Sequence, residues 1–193
     1  MKHVIMLIFT MLTLSVYGQD KYNYIQFNKL TALQGTEYVI ATIENAGKAF
    51  SSHGEFLLFI NGRTGQTKQI DFPKDAYINS VEQIKLDSFQ INKVVVTAKT
   101  INLDNSKTID WGDPSQIFVL STDGQEKTQL TPDNFYTGTW LISSETGSVV
   151  VTGYYDSNKN GKHDKTDKHE ILLYDLKTLK LISRPGEGLS MNP

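Results

Sequence analysis

The chain has 193 residues, with 39% hydrophobic, 21% charged and 10% aromatic side chains, a globular make-up. The absence of cysteine excludes a disulfide scaffold, a thiolate zinc site, a cysteine nucleophile and a cysteine-held iron–sulfur cluster. With 19 basic and 21 acidic residues the net charge is −2, so no basic surplus points to nucleic acid or anionic lipid.

The first segment reads as a secretory signal. Met1-Lys2-His3 is short and basic, Val4 to Leu14 is almost wholly apolar, and Ser15-Val16-Tyr17-Gly18 leads into polar Gln19-Asp20-Lys21. The spacing places cleavage after Gly18, giving a signal peptide over 1–18 and a single domain over 19–193. The apolar run is shorter than the ~20 residues a membrane span needs. No later segment is long and apolar enough either, so no membrane span is expected. A signal of this kind sends the protein to the periplasm or the exterior.

Beyond the signal, β-branched and aromatic residues run in short stretches between turn formers. Strands are expected at Tyr22–Asn28, Glu37–Ile43, Glu55–Ile60, Val81–Leu86, Val94–Ile101, Gln116–Leu120, Ser148–Tyr155 and Glu170–Tyr174. Asn61-Gly62, Thr64-Gly65, Asp123-Gly124 and Thr146-Gly147 lie between them as turns. The one helical turn expected is at Asp133–Phe135.

The strands recur in sets of four. Phe56–Ile60 with Gln66–Ile70, Ile117–Leu120 with Gln125–Leu130, and Ile171–Tyr174 with Leu179–Ile182 are three hairpins in matching places. Each follows an apolar strand: Tyr38–Thr42, Val94–Ala98 and Val149–Gly153. Each of these follows a first strand: Tyr24–Asn28, Val81–Leu86 and Thr139–Ser143. The expectation is an all-β protein of three four-stranded antiparallel sheets, with units near 22–72, 78–132 and 135–184. A β-sandwich or barrel is the alternative.

Ile117 to Thr131, with its Asp123-Gly124 turn, resembles the blade hairpin of TolB-type, WD-like β-propellers, and Gly138 to Val151 is similar to the stretch that follows it there. Ser144-Glu145-Thr146-Gly147 replaces the usual Ser-Pro-Asp-Gly turn. The resemblance implies three blades. Propellers have about four to eight, so a half-propeller would close as a homodimer, with unpaired edges at Tyr22–Asn28 and Lys180–Ser183. The fold hosts enzymes, scaffolds and binding modules alike and does not choose among them.

One loop carries recognisable chemistry. Asp156-Ser157-Asn158-Lys159-Asn160-Gly161-Lys162-His163-Asp164-Lys165-Thr166-Asp167 fits the calcium-loop pattern D-x-[DN]-x-[DN]-G with an acid at position twelve. It resembles EF-hand-like and dockerin-like loops, flanked here by strands. Asp156, Asn158 and Asn160 would supply side-chain oxygens, Lys162 its carbonyl, and Asp164 and Asp167 would complete the shell around Ca²⁺. His163 falls at a position that points away. Four lysines offset the acids, so the expected affinity is weak, ~10⁻⁴–10⁻³ M.

The matching loop of the second unit holds Asp104, Asp110, Trp111 and Asp113, and that of the first holds Ser51-Ser52-His53. No G-x-S-x-G, H-E-x-x-H or phosphate-cradling glycine loop occurs. The leading expectation is an exported, non-enzymatic binding module for a protein or glycan at the cell envelope, with a calcium-stabilised loop. A glycoside hydrolase-like enzyme using Asp104, Asp110 or Asp113 is the second reading. A purely structural envelope protein is the third.

Overall fold

Among the described residues of the computed structural model, twelve strands form three four-stranded antiparallel sheets, each a simple up-and-down meander. The described residues are 27–43 and 56–186. Cleavage after Gly18 and the Ser51-Ser52-His53 loop therefore lie outside them. The first sheet holds β1 (Lys29–Ala32), β2 (Tyr38–Thr42), β3 (Phe56–Asn61) and β4 (Thr67–Asp71). The second holds β5 (Tyr77–Leu86), β6 (Ile91–Lys99), β7 (Gln116–Ser121) and β8 (Lys127–Gln129). The third holds β9 (Phe135–Ser143), β10 (Ser148–Tyr155), β11 (Lys168–Asp175) and β12 (Leu181–Ser183). None of these sheets closes into a barrel. Among the described residues no helix is long and apolar enough to cross a membrane.

Local chemistry explains the hairpins. Asn61 ends β3, and its Oδ1 accepts the N–H groups of Arg63 and Thr64, both at 3.0 Å, while Gly65 at φ +73° brings the chain back. In the second sheet, Ser121 Oγ and Asp123 Oδ1 bind each other and take the N–H groups of Glu126 and Gln125.

Two details differ from the sequence expectation. The strand that pairs with β2 is Lys29–Ala32 rather than Tyr24–Asn28, of which residues 24–26 lie outside the described ones. The cause is a tight connection, in which Leu33 N donates to Tyr38 O at 2.9 Å and Thr36 Oγ1 to Leu33 O at 2.9 Å, so the residues next to that turn must pair. The short helical turn lies at Asp87–Phe89. The expected turn before Phe135 is present as a hydrogen-bonded but non-helical turn at Asp133–Asn134, closed by Phe135 N donating to Pro132 O at 3.2 Å, and it leads directly into β9.

The second sheet is the middle layer, and its strands alternate between two cores. Val94, Val96, Phe118 and Leu120 pack with Ile40, Leu57 and Phe59 of the first sheet. Val95, Ile117 and Val119 pack with Val149, Val151 and Leu172 of the third. Burial on both faces is why β6 and β7 read as unbroken apolar runs, whereas strands with one packed face tend to alternate. Within the third sheet Glu170 of β11, nearly buried, is held by Lys168 at 2.7 Å and by Arg184 at 3.2 Å.

Candidate functional site

The β6–β7 and β10–β11 connections are long, and both emerge at one end of the sheets. The first, 100–115, is built around Asp113, which is 2% exposed. Its Oδ1 accepts Leu103 N at 2.7 Å and its Oδ2 accepts Asp110 N at 2.8 Å, closing the loop on itself. Asp110 Oδ1 accepts Gly112 N at 2.7 Å, and Asp104 Oδ1 accepts Ser106 N at 2.9 Å. All three candidate acids thus act as acceptors for the loop's own backbone. Buried Gln116 anchors the base by accepting Thr100 N and Thr100 Oγ1 and donating to Pro114 O. Trp111 stays 64% exposed, its ring 5.3 Å from that of Tyr77.

The second loop, 156–167, folds around its own polar side chains. The Asp156 carboxylate accepts Asn160 N at 3.1 Å and Gly161 N at 2.9 Å. Asn158 and Asn160 each point an amide group at Asp164 Oδ2, at 3.0 and 2.7 Å. Two of the expected ligand side chains thus turn amide N–H groups, rather than oxygens, towards a third. Asn158 Oδ1 and Asn160 Oδ1 each accept one backbone N–H, and a carbonyl oxygen has a second lone pair to offer. The Asp167 side chain is fully buried, and its oxygens accept Ser157 N at 3.1 Å and Asp164 N at 2.9 Å. Among the described residues no three His, Cys, Asp or Glu side chains form a group able to hold a metal ion. A cation here would depend on the two asparagines and the Lys162 carbonyl as well as the acids.

The Asp164 carboxyl is held well below the usual carboxylate range, first by the Thr166 hydroxyl, then by the Thr166 N–H and the amides of Asn158 and Asn160. His163 lies at the loop's flank. Its Nδ1 is 3.4 Å from Asp167 Oδ2, and its ring is 4.3 Å from Tyr154 and 5.8 Å from Tyr136. Tyr154 and Tyr155 take opposite faces of β10. Tyr155 packs inward, 4.9 Å from Phe135, and Tyr154 meets His163 and His169.

The two loops meet at Gly161. Its φ of +73° is a left-handed conformation, and a Cβ there would lie 2.5 Å from Leu103 O and 2.6 Å from Asp104 Cα. Tyr136 of β9 locks the junction by donating its hydroxyl proton to Gly161 O at 2.8 Å. Burial, and then the charges of Asp156, Asp113, Asp167 and Asp104, push that phenol up to about 12. Lys99 donates to the carbonyls of Asp113 and Trp111. Burial lowers its pKa, against the opposing pull of Asp113 and Asp110.

Between the loops lies an open cavity of about 500 Å³, lined by Lys99, Asp104, Trp111, Gly112, Asp113, Pro114, Ser115, Tyr136, Thr137, Lys162 and His163. The structure thus brings Asp104, Trp111 and Asp113 together with Lys162 and His163 of the second loop. Asp110 stays behind as a loop-builder. Lys99, Tyr136 and Thr137 are lining residues that sequence reasoning missed. The register would have found Tyr136, which sits directly opposite Tyr154 in the β9–β10 pair. Compared with protein-family models and with curated proteins, the sequence matches none.

Proposed function

We propose that this chain is an exported, non-enzymatic binding module, built as three blades of a TolB-type, WD-like propeller and working in the periplasm or outside the cell as a pair of copies. The observation that carries this reading is the meeting of two long loops around one open cavity of about 500 Å³ with an exposed Trp111 at its wall. Pockets of this size accept small ligands or a protruding segment of a partner. An indole face offers apolar contact to a sugar ring or a side chain, and the lysines and carboxylate around it orient polar groups. The partner is a protein or a glycan of the cell envelope. Three acids engaged by their own loop's N–H groups favour binding over acid–base chemistry.

Ca²⁺ serves as a staple in this reading. Asp156, Asn158, Asn160, Asp164, Asp167 and the Lys162 carbonyl would hold it, and it would stiffen the wall that Lys162 and His163 contribute to the cavity. Export rests on the Met1–Gly18 signal, so the working chain begins at Gln19.

The test is capture from envelope extracts, with and without protease treatment, and calorimetric titration with soluble envelope glycan fragments. Wild-type protein and Trp111→Ala are compared. The expected result is saturable binding that falls at least tenfold in the variant, with protease sensitivity separating a protein partner from a glycan. Binding indifferent to Trp111, or glycan fragments returned hydrolysed, would overturn the reading.

A further inference from the structure

The sheet registers identify two outward faces that carry exposed apolar side chains, Leu30 on the first sheet and Leu141 on the third. In the first sheet Leu30, Ala41 and Leu58 share one cross-strand row, and Ala32, Val39 and Ile60 share the next on the same face. The opposite face carries Ile40 and Phe59, which are fully buried against the second sheet. The outward face is therefore apolar on three of its four strands, β4 adding Thr67 and Gln69; Leu30 on it is 69% exposed, while Ala41 is buried. The third sheet has one such apolar row, with Thr139 and Thr152 in the next. Leu141, Val150 and Leu173 form one outward row, Ile171 lies beside it, and Leu141 is 58% exposed. Val149, Val151 and Leu172 point inward to the core.

We infer that these two outward faces pack on each other between two copies of the chain, head to tail, the first sheet of each copy against the third sheet of the other. This rests on the paired state proposed above and assigns its surface to the sheet faces rather than to the strand edges. The middle sheet shows how such faces are satisfied in this chain, with a neighbouring sheet on both sides.

The area agrees. Strands of about 5 residues at ~3.3 Å each, four across at ~4.8 Å, present about 320 Å² per face. A head-to-tail pair uses two faces from each copy and removes about 1,300 Å² from water. That is the size of a stable specific interface, ~1,200–2,000 Å². Because each contact joins unlike faces, it is heterologous, and two copies close only if both contacts form at once.

The test uses the mature chain and two substitutions at exposed positions that the fold tolerates, Leu30→Lys on the first sheet and Leu141→Lys on the third. Sedimentation or light scattering at micromolar concentration gives the mass, and circular dichroism checks the fold. The expected result is a wild-type dimer that each variant alone converts to a folded monomer. A wild-type monomer would overturn both this inference and the paired state, and would leave the first sheet's face to residues of the same chain outside the described ones. A dimer that survives both substitutions would overturn only the assignment to the faces. Sensitivity to one substitution alone would mean like-with-like pairing, and a mass of three or more copies would mean no closure at two. Either result overturns the head-to-tail pair.

Discussion

At the scale of single residues, two glycines with the same backbone separate conformational strain from contact. Gly65 and Gly161 both sit at φ +73°, but a Cβ at Gly65 meets nothing within 4 Å, while one at Gly161 strikes the backbone of Leu103 and Asp104. Gly65→Ala should cost about 1 kcal/mol, the left-handed penalty less the gain from a stiffer unfolded chain. Gly161→Ala adds displacement of one loop from the other and should cost about 2–4 kcal/mol. Urea denaturation of the two variants checks this, and equal losses would mean that the loops do not depend on their contact. A second residue-scale expectation concerns acid. Asp164 is held low by Thr166, Asn158 and Asn160, Asp123 first by the Ser121 hydroxyl, and Asp175 first by the Thr178 N–H. Unfolded, each titrates near ~3.9. A folded pKa below the unfolded one means that the contribution is complete above about pH 4 and is lost as pH falls towards the folded value. The melting temperature should drop below about pH 4, and Asp164→Asn should make that drop shallower. A variant with the same acid profile as the parent would show that the loop's hydrogen bonds add no stability.

At the scale of elements, the 156–167 loop is legible in sequence as a ligand pattern, and its folded form draws Asn158, Asn160 and Asp164 together. If it holds Ca²⁺, binding to the folded state stabilises it by mass action, about 1.4 kcal/mol at ten times the dissociation constant. At ~2–4 °C per kcal/mol for a domain of this size, the melting temperature should rise by roughly 3–6 °C. With a millimolar constant the shift should appear at about 10 mM calcium, vanish with chelator, be absent in Asp156→Ala and be smaller with magnesium, which demands a tighter octahedral shell. A transition unmoved by calcium would reduce the stretch to a polar turn. The strands themselves are legible for a simple reason. A strand's side chains alternate faces, so burial on one face tends to leave an alternating sequence and burial on both leaves a continuous apolar one. Val94–Ala98 and Ile117–Leu120 therefore stand out without any structure. β1 does not, because Lys29-Leu30-Thr31-Ala32 is mostly exposed and is a strand only through its pairing with β2.

At the scale of the molecule, the middle sheet couples everything. Neither of its faces is satisfied without a neighbour, so the three sheets should unfold together. Phe59→Ala acts on the core between first and second sheets, and Leu172→Ala on the core between second and third. Each should remove about 2–5 kcal/mol and lower one and the same calorimetric transition. A transition that splits in two would mean that an outer sheet melts alone, against the sharing of the middle layer.

The three four-stranded units, the positions of most turns and the polar pattern of the 156–167 loop are local properties, set by hydrophobic period, β-branching and turn chemistry, and the amino-acid order alone determined them. That the loops at 100–115 and 156–167 face each other, that Tyr136 and Lys99 join their cavity, and that Asp113 is consumed in building a loop depend on how sheets stack and on strand register. Those contacts join residues far apart in the chain, through side chains whose neighbours no local window contains. The same holds for the outward rows of Leu58 and Leu173. In sequence they read as ordinary apolar strand positions, and only the stacking order of the sheets decided which of them found a partner within the chain.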